Sequence, residues 1–200
     1  MPPPLLVAKV GGSLLNWNGL TDALTTFLDR RRDHRLVLVV GGGEAVDAIR
    51  SLDRTHSLGD PVSHRLALRG MDLTAHCLAA IVPSLVVVDA IAELPSVWNG
   101  PSLPVFAPRL FLDQEDRTVD DPLPHSWAVT SDSIAARLAV RLGADSLVLL
   151  KSTAAPASIP RDQAASLGLV DPTFPAASLP IPRVTLLNLR DARLPESSLL

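Results

Sequence analysis

The chain has 200 residues, a formal net charge of −3 and a pI near 5.9, which gives no electrostatic reason to expect a nucleic-acid partner. Aromatic residues make up 4% and tyrosine is absent, so a base-stacking platform is also unsupported. Hydrophobic content of 47% against 20% charged residues suits one globular domain over residues 1–200 with a substantial core, and no apolar run nears the ~20 residues of a membrane helix.

Met1-Pro2-Pro3-Pro4 reads as a stiff cap, without the basic-then-apolar pattern of a secretion signal. Cys77 is the only cysteine, so no internal disulfide can form, and a cytoplasmic protein is the expectation. The apolar run over residues 5–10 predicts a buried parallel strand. It ends in Lys9-Val10-Gly11-Gly12-Ser13. Glycines let a backbone approach a ligand and turn N–H groups toward phosphate oxygens, while the lysine adds a compact positive charge. A plain tight turn with a solvent-reaching lysine is the alternative. Leu20, Leu24, Phe27 and Leu28 keep helical spacing and predict a helix over about residues 20–33. A second buried strand, 35–40, runs into Gly41-Gly42-Gly43 and then a helix from Glu44 with Val46 and Ile49 facing inward. Strand, glycine turn and helix form a unit in which free N–H groups meet an anion. A dinucleotide fingerprint fails on spacing, because Val46 stands where the next glycine belongs, and no Gly-x-x-x-x-Gly-Lys-Ser/Thr loop occurs.

Asp60-Pro61 starts a helix whose apolar face runs through Leu68, Met71, Ala75, Leu78 and Val82. Cys77 on this helix reads as a small buried hydrophobe. His64 and His76 lie too far apart for a metal pair, so no metal ligands are assigned. His64 either faces solvent or points into a site beside the glycine turns. Strands are expected over 85–88 and 103–107, a short helix near 89–94, and an exposed hairpin or long loop over 110–124. Thr130 or Ser131 then caps a helix carrying Ile134, Leu138 and Leu142, ended by Gly143. Asp132 falls in its first turn, where the helix dipole favours a carboxylate in any case. A strand over 145–150 ends in Lys151-Ser152. Of 18 lysines and arginines, only Lys9 and Lys151 are lysines, and both close a strand. Residues 153–180 are expected to be irregular, apart from a short helix near 162–167, and to border a nucleotide. A last strand covers 183–189.

Lys-x-Gly-Gly-Ser after strand one, Gly-Gly-Gly after strand two, and Thr-Ser-Asp-Ser-Ile-Ala-Ala before Leu-Gly-Ala-Asp-x-Leu-Val-Leu-Leu-Lys together resemble the amino-acid kinase superfamily. The order matches across residues 5–152. The Thr-Ser-Asp-Ser-Ile element is similar to the branch that phosphorylates aminomethylfuran-methyl phosphate in methanofuran biosynthesis. The resemblance implies an α/β fold, a three-layer αβα sandwich around a mostly parallel sheet, with ATP and a small acceptor meeting at the strands' carboxyl ends. It further implies that Lys9 stabilises the transferring phosphoryl group and that Asp132 orients Lys9. Gly11, Gly12, Ser13, Lys151 and Ser152 would hold ATP. Gly41, Gly42, Gly43, Thr130 and Ser131 would hold the acceptor, with His64 and Arg69 beside them. Mg2+ would be carried mainly by the nucleotide phosphates, and a homo-oligomer would follow family habit.

The departures lie after Lys151. Many members continue with Asp-Val-Asp-Gly and later a Gly-Gly-Met-x-x-Lys helix, whereas Thr153-Ala154-Ala155-Pro156 follows here and no further lysine occurs. The nucleotide lobe is therefore abbreviated. A phosphate, phosphonate or carboxylate kinase is the leading expectation, and a catalytically degenerate ligand-binding or regulatory subunit is the alternative. On first-turn charge alone, Asp132→Asn should cost only about 0.3–1 kcal/mol of stability.

Overall fold

A computed structural model describes residues 2–200; Met1, the first residue of the expected cap, lies outside them. Eight strands form one sheet: β1 (Leu5–Val10), β2 (Arg35–Val40), β3 (Leu85–Val88), β4 (Leu103–Phe106), β5 (Ser146–Lys151), β6 (Ser158–Ile159), β7 (Arg183–Asn188) and β8 (Glu196–Leu199). Their order is β3-β4-β2-β1-β5-β7-β8-β6, and every neighbouring pair is parallel except β7–β8. The helices are α1 (Leu20–Asp29), α2 (Gly43–His56), α3 (Asp60–Ile81), α4 (Leu94–Trp98), α5 (Arg109–Thr118), α6 (Ser131–Leu142), α7 (Arg161–Ser166) and α8 (Phe174–Ser178). They cover both faces of the sheet, giving the three-layer αβα sandwich.

Alternation along the strands divides the core in two. Leu5 and Val7 of β1 and Leu147 and Leu149 of β5 pack with Ile134 and Leu138 of α6. Leu6, Ala8 and Val10, with Val148 and Leu150, face the other way onto Leu20, Leu24 and Phe27 of α1. Phe27 is fully buried, which stabilises the fold by roughly 1.5–3 kcal/mol through burial alone. Lys9 shares the parity of Leu5 and Val7, and Lys151 that of Leu147 and Leu149. Lys9 pairs in register with Leu149, so the two lysines emerge on the same face of adjacent strands, both beneath α6.

Several expectations need correction. Residues 109–118 form helix α5, not a hairpin or loop. Its buried face is Phe111, Leu112 and Glu115, and a glutamate in that face hides the apolar period. Glu115 is accommodated because Arg137 and Arg141 of α6 each reach it at 2.8 Å. Residues 153–180 carry β6, α7 and α8, so they are more ordered than their proline and alanine content suggests. β8 was not legible at all: Glu-Ser-Ser-Leu becomes a strand by pairing antiparallel with β7. Cys77 is exposed, on the outer side of α3 beside Leu73. No helix among the described residues is long and apolar enough to cross a membrane.

Candidate active site

The carboxyl ends of β1, β2 and β5 lie along one edge of the sheet, the place where open α/β sheets bind ligands. The two glycine turns interlock there. A Cβ on Gly12 would stand 2.2 Å from the Gly43 nitrogen, so no side chain fits. Gly43 itself has φ +51°, a left-handed conformation that suits glycine. Gly12, Gly42 and Gly43 have no hydrogen-bond partner for their N–H groups among the described residues, and all three line a cleft of about 240 Å3. Gly11 is different. Its N–H donates to the Leu150 carbonyl at 2.8 Å, so it ties β1 to β5 and is not free for a phosphate. Gly41 N–H is likewise engaged, with the Val10 carbonyl at 2.9 Å.

Lys9, Asp132 and Lys151 converge in this cleft. Lys9 Nζ lies 2.8 Å from Asp132 Oδ1, and Lys151 Nζ donates to Asp132 Oδ2 at 2.7 Å. The Lys9 contact is an ion pair poorly aligned for a hydrogen bond, which leaves Oδ1 without a hydrogen-bond donor. Asp132 is 3% exposed. Burial pushes its carboxyl up, but the ammonium groups of Lys9 and Lys151 outweigh burial and hold its pKa below the ordinary value. Burial and then repulsion from Lys9 bring Lys151 down to about 8, against the pull of Asp132.

The start of α6 is held from a distance. Thr130 has the extended backbone of a cap, but its hydroxyl does not cap its own helix. Instead Asp171, buried beyond α7, accepts from Thr130 N at 3.0 Å, Thr130 Oγ1 at 2.8 Å and Ser133 N at 3.0 Å, and from the Ser133 hydroxyl. The same carboxylate accepts from Thr173 N at 3.1 Å and Phe174 N at 3.0 Å. One side chain therefore ties the first turns of α6 and α8 together. Residues 153–180, expected to border a nucleotide, do not line this cleft, and Asp171 supports it from behind.

Ser13, Thr130, Ser131 and His64 line the cleft as well. Ser152 does not, though its hydroxyl lies 3.4 Å from that of Ser13 at the rim. His64 is 5% exposed, which settles the choice between solvent and site in favour of the site. Its ring stacks on His125 at 5.0 Å, and His125 Nε2 meets Asp116 at 2.8 Å. Burial, then the neighbouring His125, lower the His64 pKa, which favours the neutral ring. Arg69 is exposed and stands outside the cleft, so the acceptor role expected of it has no geometric support. The cation present is Arg50 of α2, stacked over the Trp127 ring at 4.7 Å, with Asp47 one turn before it. Sequence reading missed Arg50, Asp47 and Trp127. The available signal was spacing, since Asp47 and Arg50 follow Gly43 on one helical face.

Among the described residues no group of three or more His, Cys, Asp or Glu could hold a metal. The one deeply buried carboxylate of the cleft is committed to two lysines. A magnesium ion would therefore fit here as a companion of nucleotide phosphates rather than on a protein ligand set.

A mostly parallel αβα sheet that brings interlocked glycine turns and two lysines to one strand edge defines an α/β protein with a cationic, glycine-lined cleft. The chain belongs to the amino acid kinase family, whose sequence profile matches residues 4–155. It is 29% identical over 129 residues to the [5-(aminomethyl)furan-3-yl]methyl phosphate kinase of Methanocaldococcus jannaschii. That alignment covers 64% of this chain and 56% of the relative, so the chain spans little more than half of that protein's length. Its fold is that of the UMP kinase of Ureaplasma parvum, with a TM-score of 0.70 at 12% identity over 100% of this chain and 99% of the other. The aspartate kinase of Synechocystis gives a TM-score of 0.70 at 16% identity, over 98% of this chain and 40% of the other.

Proposed function

We propose that the protein is an ATP-dependent small-molecule kinase that phosphorylates a small acceptor bearing a phosphate, phosphonate or carboxylate. The observation that carries this is the Lys9–Asp132–Lys151 triad beside free glycine N–H groups. Phosphoryl transfer needs positioning and positive charge more than covalent chemistry by the protein. Bound ATP would supply the γ-phosphoryl group. Lys9 and Lys151 meet the negative charge that develops during transfer, and Asp132 keeps both ammonium groups aimed into the cleft. Gly12 and Ser13 line the nucleotide side, while Gly42, Gly43 and His64 line the acceptor side. Lys151, held at the second oxygen of Asp132, would take the role of the lysine that many members carry further along the chain. This favours an enzyme over a degenerate binding subunit.

The acceptor named for the Methanocaldococcus relative, [5-(aminomethyl)furan-3-yl]methyl phosphate, has the expected chemistry, and a role in methanofuran-type cofactor biosynthesis follows from it. Incubation with Mg·ATP and this compound, read by phosphorus NMR, should give ADP and a diphosphate product. Lys9→Ala should abolish both signals while the protein stays folded. Failure of the parent to form ADP with any phosphate, phosphonate or carboxylate acceptor would leave the binding-subunit alternative.

A further inference from the structure

The cleft holds a cation that the lysine triad does not account for. Arg50 is half-buried on α2, and its Nε is buried with no hydrogen-bond partner. Asp53, one turn away, does not neutralise it. Asp53 instead accepts from Trp127 Nε1 at 2.7 Å and from Gly59 N at 3.0 Å. Those bonds fix the indole plane, and the guanidinium lies on it at 4.7 Å. A buried N–H donor left unpaired is unfavourable, and a ligand that accepts from it recovers that loss. Stacking on an indole directs a guanidinium's N–H edge sideways, in the geometry that grips phosphate or carboxylate with two bonds.

Charge and size narrow the ligand further. Gly42 and Gly43, at the start of the same helix, add N–H groups without partners on the same side of the cleft. A planar carboxylate would be satisfied by one guanidinium, whereas a phosphate has three oxygens to share among these donors. At about 240 Å3 the cleft is smaller than the ~300 Å3 lower end for drug-sized ligands. We propose that Arg50, held flat by Trp127, is the anion-recognition residue of the acceptor subsite and selects a small phosphate monoester. This rests on the kinase reading only in calling the ligand an acceptor, because the subsite can be tested without nucleotide.

The test is a titration of the full-length protein with inorganic phosphate, read on the arginine Nε–Hε signals in a proton–nitrogen NMR spectrum. The Arg50 signal is assigned by its absence in Arg50→Gln. It should move saturably with phosphate, and calorimetry on Arg50→Gln should show affinity weakened at least about tenfold. Lys9→Ala should leave the Arg50 movement in place, which separates this subsite from the lysine triad. Trp127→Phe, a milder change, should weaken phosphate binding while the thermal melt confirms folding. A stationary Arg50 signal, or unchanged affinity in Arg50→Gln, overturns the proposal. An equal response to acetate overturns the choice of phosphate over carboxylate. ADP formation that fails while Arg50 still responds to phosphate would sink the kinase reading and leave the subsite standing.

Discussion

Lys151 couples stability and turnover to alkaline pH in opposite directions. Its pKa is about 8 in the folded protein, against 10.5 for an ordinary lysine, because burial and Lys9 outweigh the Asp132 contact at 2.7 Å. At about 1.4 kcal/mol for each pH unit, that gap corresponds to about 3 kcal/mol. Below pH 8 the folded and unfolded chains both carry the proton, and the penalty for the buried charge is fully present. Between 8 and 10.5 the unfolded chain holds a proton that the folded chain has lost, so stability rises with pH across that window. Tyrosine is absent from the chain, which removes one further kind of group that titrates in this range. The proposed mechanism uses a charged Lys151, so on that reading kcat/KM should fall as pH rises through about 8. Urea midpoints and initial rates of ADP release, measured at matched pH values from 7 to 10.5, read the two trends together. Lys151→Met should remove most of the rise in stability. A flat stability profile in the parent, or the same rise in Lys151→Met, would refute the assignment.

Asp132→Asn leaves two buried ammonium groups facing each other, which should cost about 3 kcal/mol, near the low end for a broken buried pair because Lys151 can shed its proton. That replaces the smaller first-turn charge effect expected from sequence, and turnover should fall by about 10²-fold or more in the same assays. Gly12→Ala drives a methyl group to 2.2 Å from the Gly43 nitrogen, so the glycine turns must part. Both the urea midpoint and ADP release should drop, and a normal midpoint would mean the turns do not interlock. Asp171→Ala strips an acceptor from four backbone N–H groups at the starts of α6 and α8 and leaves three unpaired, since Phe174 N keeps the Asp171 carbonyl at 3.1 Å. At about 1–3 kcal/mol for each buried group left unpaired, the loss should exceed 3 kcal/mol in urea denaturation, whereas a loss under ~1 kcal/mol would show that water replaces the carboxylate.

How far the site could be read in advance depends on how local its causes are. Lys9 and Lys151 were legible because a strand alternates with period two, and a lysine two residues past Leu149 must share the face of Leu147. The glycine turns were legible because few other residues tolerate such close backbone approach. Asp132 was legible as a helix-start carboxylate, yet its union with both lysines depends on α6 crossing β1 and β5. Sequence reading named Arg69 as the anion ligand and passed over Arg50. Packing of α2 against α3 chose between them, turning Arg50 onto Trp127 and Arg69 to solvent.

The sequence by itself marked the apolar strands, the glycine turns after two of them and the lysines that close two of them, because these follow from local periodicity and backbone sterics, whereas the shared face of the lysines rests on the β1–β5 register. Tertiary structure alone decided the partners that come from far along the chain. Trp127 meets Asp53 across 74 residues, and Asp171 reaches back across 41 to Thr130. Glu115 turns inward because Arg137 and Arg141 receive it, and Glu196–Leu199 becomes a strand because β7 offers an open edge. Such polar contacts leave no period in the sequence, since each side chain is satisfied by a group that only the folded chain brings near.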